Sequence, residues 1–429
     1  MSDNSPLRIQ LITNLFAPDE LGGAALYTDM ARFLKERGHD IRVTTTFSYY
    51  PAWALRPEDQ GISVRDEMMD GIPVRRVAMY VPAKVTGRSR MLSDLSFLLS
   101  LVRRSYYKDW KPQVVVTAIP MLSECLAQRF MYVGQGIPRL IAVKDFVVDS
   151  ALELGILKLP LIGGVLRWTE RYALRSAQTI STIGPQMLDK LKPMIGNDRR
   201  MVLIPDWIHQ SLEKEINLQL AEKRPRAQIQ LVYSGNLGIK QGLPDFLDQF
   251  AGARALNPGL KWGLNIYGGG ANKEALEAAV AANPAVQLGG VQDEVAYVRN
   301  LLTASACLIT QKPGVGANFL PSKILPALAT GTPVLAVCDT DSPLGREVAE
   351  SGCGEVVKPA DAAALNEVLQ RWQDQPEVLA KLSLAAKARA AHYERSRVVG
   401  LYESEIRRLA EGTEQGSTTP ALPVSGKAG

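Results

Sequence analysis

Two series of short apolar strands, each followed by a glycine-bearing loop and an amphipathic helix, run through this 429-residue chain. That alternation limits the fold more than any single motif does, because a strand that returns parallel to its predecessor needs a helical crossover. LRIQLIT (7–13) runs through NLFAPDELGG into the helix-periodic AALYTDMARFLKERG, and IRVTTTF (41–47) follows as the next strand. Strand, loop, helix and strand in about 40 residues make a βαβ unit of the nucleotide-binding type. Further strands are predicted at 72–77, 113–119, 139–145, 177–183 and 200–205, in a parallel sheet. Residues 206–226 are polar, helix-leaning and end in EKRPRA, which reads as a linker. A second series then begins, with strands at 228–235, 261–270, 285–290, 306–311, 332–337 and 355–359. Helices are predicted over Gly242–Asn257, Asn272–Ala282, Asp293–Ala304 and Pro321–Thr330, and one long charged helix over Ala380–Ala410. The expected fold is α/β with two Rossmann-like, doubly wound domains, residues 1–205 and 206–390. The tail 412–429 has the composition of disorder.

A chain of this length exceeds one ordinary core, which agrees with two domains. It has no apolar run near the ~20 residues of a membrane-spanning helix. Residues 1–6 lack the basic start and apolar core of a secretory signal. The four cysteines, Cys125, Cys307, Cys338 and Cys353, are scattered and form no C-x-x-C pair. They read as buried, reduced thiols in a cytoplasmic protein. His39, His209 and His392 lie far apart in sequence, so no histidine-based metal site is expected.

Loops at the carboxyl ends of strands carry the candidate chemistry. In GVGANFLPSKILPALATGTPV (314–334) a glycine-spaced loop meets Ser322 and Lys323 at the start of a short helix. Helix N-termini favour anions, since first-turn N–H groups lack partners and the dipole adds roughly half a positive charge. Ser322 is placed to cap that helix, and Lys323 adds a full cation. The reading is a pocket for the diphosphate of a nucleotide-sugar; the plainer one is an ordinary βα-loop with a solvated lysine. Gly22 and Gly23 end the first loop, either for close approach to a ligand or for a simple turn. Gly235, Asn236 and Lys240 follow the first strand of the second domain, and Gly268, Gly269 and Gly270 follow the next. Each loop alone is a weak signal. Convergence of the loops of both domains on one cleft is the strong one. Asp145 and Asp149, just past a first-domain strand, either orient a substrate hydroxyl or cap the next helix.

Between Lys84 and Lys111 seven basic residues stand against two acidic ones, an excess equal to the net +5 of the whole chain. Residues 91–110 and 152–175 set leucines and aromatics at helical spacing beside basic ends. These segments, 84–111 and 152–175, suit a membrane interface, and equally the packing of helices on a sheet. The expected location is cytoplasmic, at the inner face of the cell membrane, with no nucleic-acid partner.

Several motifs resemble the retaining glycosyltransferases of family 4, whose GT-B fold sets two Rossmann-like domains face to face. F-A-P-x-x-x-G-G before a helix and R-G-H-D-I-R-V are similar to that family's opening. S-G-N-L-G-x-K-Q-G-L is similar to its second-domain start, and L-P-S-K-I-x-x-x-L-A-x-G-T-P-V to its donor-site helix. The likeness spans about residues 7–405. Y-Y-P at Tyr49-Tyr50-Pro51 and the D-x-x-x-D-x-x-x-x-L-G stretch from Asp145 resemble the colanic-acid and exopolysaccharide-type members. The resemblance implies a nucleotide-sugar donor bound mainly by the second domain, no divalent metal, and a final helix (391–411) crossing back to the first domain. It places Lys240 and Lys323 at the diphosphate and Gly22-Gly23 across from the donor, and it implies attack of the acceptor hydroxyl on the face the leaving group vacates. A lipid-linked glycan acceptor in surface polysaccharide assembly is the expected partner.

Two departures stand out. Where many members carry two glutamates eight positions apart, this chain has Asn318 and Pro326; where an arginine often follows the second-domain glycine, it has Asn236. These substitutions leave open a catalytically silent nucleotide-sugar-binding partner. An epimerase would need more titratable residues, and a dehydrogenase a compact G-x-G-x-x-G that the first loop lacks.

Overall fold

The computed structural model describes residues 5–19, 23–50, 52–119, 122–146, 160–196, 199–221, 229–270, 272–281, 283–315 and 320–412. The chain divides into two compact units, one running to Pro205 and resumed from Ser396, the other Asp206–Arg395. Several of the expectations above fall outside the described residues: the linker end EKRPRA, Gly22, Asp149, residues 152–159, Asn318 and the tail from 413.

The first unit holds β1 (Arg8–Ile12), α1 (Gly23–Glu36), β2 (Asp40–Thr46), β3 (Val64–Met69), β4 (Ile72–Val77), α2 (Gly87–Arg104) and β5 (Val114–Ile119). It continues with α3 (Leu122–Met131), β6 (Arg139–Val143), α4 (Pro160–Leu174), β7 (Thr179–Thr182), α5 (Pro185–Ile195) and β8 (Arg200–Leu203). The sheet order is β3-β4-β2-β1-β5-β6-β7-β8. β7 and all but the first residue of β1 are buried, as expected where helices cover both faces of a parallel sheet. The chain moves outward from β1 to β2 and then returns to β5, so the topological switch lies between β1 and β5.

One strand departs from the parallel expectation. β3 pairs antiparallel with β4 in a hairpin that turns at Asp70-Gly71, both at positive φ (51° and 74°). That Asp-Gly pair is the turn residues' own signature, and the edge strand it adds was not anticipated.

The second unit holds α6 (Gln210–Leu220), β9 (Gln230–Ser234), α7 (Leu243–Leu256), β10 (Gly263–Tyr267), α8 (Lys273–Ala281), β11 (Val286–Gly289) and α9 (Glu294–Thr303). Then come β12 (Ala306–Thr310), α10 (Ile324–Thr330), β13 (Val334–Val337), α11 (Pro343–Ser351), β14 (Gly354–Val357), α12 (Ala362–Asp374) and α13 (Pro376–Ala390). Its sheet is parallel throughout in the order β11-β10-β9-β12-β13-β14, with the switch between β9 and β12. The period of two sends Leu231 and Tyr233 of β9 into one core, with Phe246, Phe250, Trp262 and Trp372. Val232 goes into the other, with Ile309, Leu328 and Val334. Leu212 and Ile216 of α6 join that second core, so this part of the segment read as a linker is part of the domain.

The long C-terminal helix is also corrected. It breaks at a 3-10 turn, Ala391–Tyr393, before α14 (Arg395–Ala410). No glycine or proline marks the break. The Tyr393 carbonyl instead accepts the Ile208 N–H (2.9 Å), and the Tyr393 ring is buried in the second unit. α14 then belongs to the first unit. Its Glu405 meets Arg200 (2.7 Å) and Arg408, and its Glu403 meets His39 Nε2 (3.2 Å) and Arg37. His39 Nδ1 accepts the Leu7 N–H (3.1 Å), which leaves the Nε2 proton for Glu403. Burial holds His39 below its usual value, consistent with a neutral ring.

Candidate functional site

In the second unit the loops after β9 and β10 are laced together at neighbouring strand ends. Gly235 N–H donates to the Tyr267 carbonyl (2.9 Å), Leu237 N–H to Gly269 (2.9 Å) and Asn272 N–H to Leu237 (2.9 Å). A side chain at Gly268 (φ 152°) would run into the Gly235 carbonyl. Loop-on-loop packing thus requires glycine at position 268.

Gly235 (φ 135°) has a different reason. A Cβ there would stand 2.5 Å from Cε of Lys323. Lys323, 90 residues beyond Tyr233 in sequence, reaches the end of β9 because β12 and β9 are adjacent in the sheet. Its Nζ donates to the Tyr233 hydroxyl and lies 4.0 Å from the centre of the Tyr233 ring. The Tyr233 hydroxyl in turn donates to the Asn236 carbonyl (2.7 Å). Burial pulls the Lys323 ammonium down to about 8. Burial likewise pushes the Cys307 thiol of β12 up to about 12, with the Lys323 charge working against it. Among the described residues no carboxylate is paired with Lys323.

Ser322 does not cap α10 as expected. The residue preceding α10 is Lys323, and no side chain caps the helix; Ser322 is exposed. The Ile324 and Leu325 N–H groups already donate to the carbonyls of Pro321 and Ser322 (3.1 Å each), and Pro326, third in the helix, has no N–H. Lysine side chains add positive charge at this edge.

Lys240 lies in a 3-10 turn, Ile239–Gln241, closed by Gly242 at φ 62°. Its carbonyl accepts the Lys312 N–H (3.0 Å), which ties the loop after β9 to the one after β12. Its ammonium has no hydrogen bond or ion pair among the described residues, whereas Lys312 is engaged with Asp245 (3.5 Å). The structure therefore brings Gly235, Asn236, Gly268, Gly269 and Lys323 into one knot, with Lys240 on the same loop and Ser322 exposed beside it. Asn318 lies outside the described residues.

In the first unit Gly22 lies outside the described residues. Gly23 opens α1, where a Cβ would meet the Tyr27 ring at 2.9 Å. Asp145 is exposed just past β6. Sequence reasoning passed over Asn14 at the end of β1, whose Nδ2 donates to the Tyr49 hydroxyl (3.2 Å). It also passed over Asp19, which accepts from Ser48 Oγ and is raised by burial, and over Tyr233. No group of three or more His, Cys, Asp or Glu able to hold a metal occurs among the described residues.

Each amphipathic segment holds a helix of this unit, α2 in the first and α4 in the second. α2 buries Phe97 and Leu101 and exposes Met91, Leu92, Leu95 and Leu99. α3 packs against both α2 and α4. On α4 Trp168 is 65% exposed and stacks on Tyr172 (5.4 Å), with Arg129 over the Tyr172 ring at 4.0 Å. No described helix is long and apolar enough to cross a membrane. Residues 152–159 of the second segment lie outside the described residues.

Comparison with known proteins yields two family models. One, described as a glycosyl transferase 4-like domain, matches residues 22–207; the other, described as glycosyl transferases group 1, matches residues 228–375. Over 369 residues the chain is 26% identical to the putative colanic acid biosynthesis glycosyl transferase WcaI of Escherichia coli (strain K12), covering 81% of this chain and 87% of that protein. Among solved structures, sucrose-phosphate synthase from Thermosynechococcus elongatus has a TM-score of 0.70 at 17% identity, covering 95% of this chain and 100% of that one. HepE of Anabaena, solved in complex with UDP and glucose, has a TM-score of 0.61 at 12% identity, covering 93% and 98%. At such identities the structural likeness speaks to the fold alone.

Proposed function

The chain belongs to the group 1, family 4 glycosyltransferases of the GT-B fold, and from that premise we propose that it moves a sugar from a nucleotide-diphosphate donor to a lipid-linked glycan acceptor in surface polysaccharide assembly. The observation that carries the donor assignment is Lys323 at the β9/β12 switch. An ammonium pulled largely out of water, with no carboxylate among the described residues to neutralise it, favours an anionic group beside it. A diphosphate meets that demand, and its charge grows as the sugar departs. Lys323 and Lys240 then stabilise the leaving group without a divalent ion. Asp145, Gly22, Gly23, Asn318 and Ser322 are carried in this reading as further contacts to the substrates. In a retaining transfer the acceptor hydroxyl attacks the face that the diphosphate vacates, and the departing phosphate takes its proton.

HepE, with UDP and glucose bound, puts uridine donors first among the candidates. In a thermal-shift screen against UDP-, GDP- and ADP-sugars, one class is expected to raise the melting temperature in proportion to its affinity. No shift with any of them would reject the donor assignment. A second reading, a silent nucleotide-sugar-binding partner, is favoured by Pro326, which is buried in α10 and offers no side-chain polar group. Binding of a donor with neither transfer nor hydrolysis in the presence of membrane lipid extract would select it.

The exposed leucine stripe of α2, with Trp168 on α4 and the basic residues around both, supports a location at the inner face of the cell membrane. The protein is expected to sediment with anionic phosphatidylglycerol vesicles at low salt and to be released by salt. Replacing Leu92 and Leu95 with glutamate is expected to abolish sedimentation without lowering the melting temperature. A wild-type protein that stays in the supernatant would remove the membrane assignment.

A further inference from the structure

We propose that Tyr233 is a positioning residue of the donor site, a two-sided clasp that fixes the Lys323 ammonium and the Gly235–Gly238 loop in one geometry. The inference rests on the donor reading above and deepens it. Tyr233 is the fourth residue of β9, and its ring is fully buried in the core beside Leu231 and Phe246. Only its hydroxyl reaches the end of the strand. That hydroxyl has one proton, which goes to the Asn236 carbonyl at 2.7 Å, and it accepts from Lys323 Nζ. The ring adds its face, with Nζ 4.0 Å from the centroid. One side chain therefore holds both the loop backbone and the cation.

The chemistry of the clasp distinguishes it from ordinary packing. A lysine in a part-buried position is commonly held by a carboxylate, and such a partner would cancel the charge that a diphosphate needs. A phenol and an aromatic face hold the ammonium and leave its charge uncancelled. Burial holds the Tyr233 phenol far above its usual range, so it stays neutral beside the lysine. Gly235 completes the arrangement, because any larger residue would displace the Lys323 stem. The Asn236 carbonyl, fixed by Tyr233, sets the course of a loop whose Leu237 N–H and carbonyl are both bonded to the loop after β10. A shift in the phenol would therefore move the lysine and the loop together.

Tyr233→Phe keeps the ring and its face and removes both hydrogen bonds. The test measures binding of UDP, GDP and ADP, and of the corresponding nucleosides, to the wild-type protein, Tyr233→Phe, Lys323→Ala and the double variant. For the diphosphate that the wild type binds, Tyr233→Phe is expected to lose about tenfold in affinity, with the parent nucleoside unchanged. In the Lys323→Ala background the same substitution is expected to cost much less, since the two act through one contact. Unchanged diphosphate binding in Tyr233→Phe, an equal loss for diphosphate and nucleoside, or losses that simply add in the double variant would each overturn the clasp. A wild type that binds none of the three diphosphates would fail the donor reading itself, and the clasp with it.

Discussion

Lys323→Ala is expected to lower turnover by about 10²-fold or more, and Lys240→Ala by a comparable but smaller factor. Both lysines act on charge that develops as the sugar–phosphate bond breaks, so the loss belongs mainly in kcat. The difference between them follows from solvation. Lys323 is desolvated enough to sit near 8, so its field on a neighbouring phosphate is little screened. Lys240 is half-buried on a surface turn and has water to share its charge with. Lys323→Arg is not expected to rescue the activity. The planar fork is bulkier than an ammonium, and the stem already passes within 2.5 Å of where a Cβ on Gly235 would lie. Steady-state turnover of the nucleotide-sugar that stabilises the wild type checks this, with melting temperatures to exclude misfolding. Near-normal turnover in both alanine variants would reject the assigned roles.

Much of the sheet framework was legible because buried parallel strands write themselves as apolar runs ended by glycine. IQLVYSG and GLNIYGGG are such runs, and they became β9 and β10 with their loops. Local patterning could not show where a backbone would be used by a distant partner. The helix break at Tyr393 arises because Ile208 takes a carbonyl there, with nothing in RAAHYERS to announce it. The hairpin at Asp70-Gly71 was legible and was missed, its signal hidden between two runs rich in charge. Ser322 was misassigned as the cap of α10 for a similar reason. A sequence identifies where a helix starts, but not that Pro321 and Ser322 will fold back to occupy its first amides. Pro326 was the one local warning, since it removes an N–H from the first turn. Tyr233 had no signal at all. A tyrosine in a strand reads as core, and only adjacency of β9 to β12 brings a lysine ninety residues away onto its hydroxyl.

Affinity for the donor diphosphate is expected to fall as pH rises through about 8, while Lys323's own contribution to the stability of the unliganded fold rises over the same range. Both follow from Lys323. Burial lowers its ammonium from the ordinary 10.5 to about 8 in the folded protein. Between those values the unfolded chain holds a proton that the folded chain has released, so unfolding takes up a proton and stability increases with pH. Below about 8 both states are protonated and this contribution is flat. The diphosphate prefers the ammonium, so its affinity is full below 8 and declines above it by at most about tenfold per pH unit. The buried thiols work in the opposite sense over the upper part of that range. Burial raises the Cys307 thiol from 9.0 to about 12, so the unfolded chain releases that proton first and stability falls there, and the part due to Lys323 is the difference between the wild type and Lys323→Ala. Calorimetric titration of the nucleoside diphosphate between pH 7 and 9.5, paired with denaturant unfolding over the same range, reads the two slopes. In Lys323→Ala this lysine's contribution to each slope is expected to vanish. Opposite slopes from one side chain are hard to produce by general loosening of the protein, which would weaken binding and stability together. A wild-type affinity that stays level to pH 9.5 would show that the ammonium does not face the diphosphate.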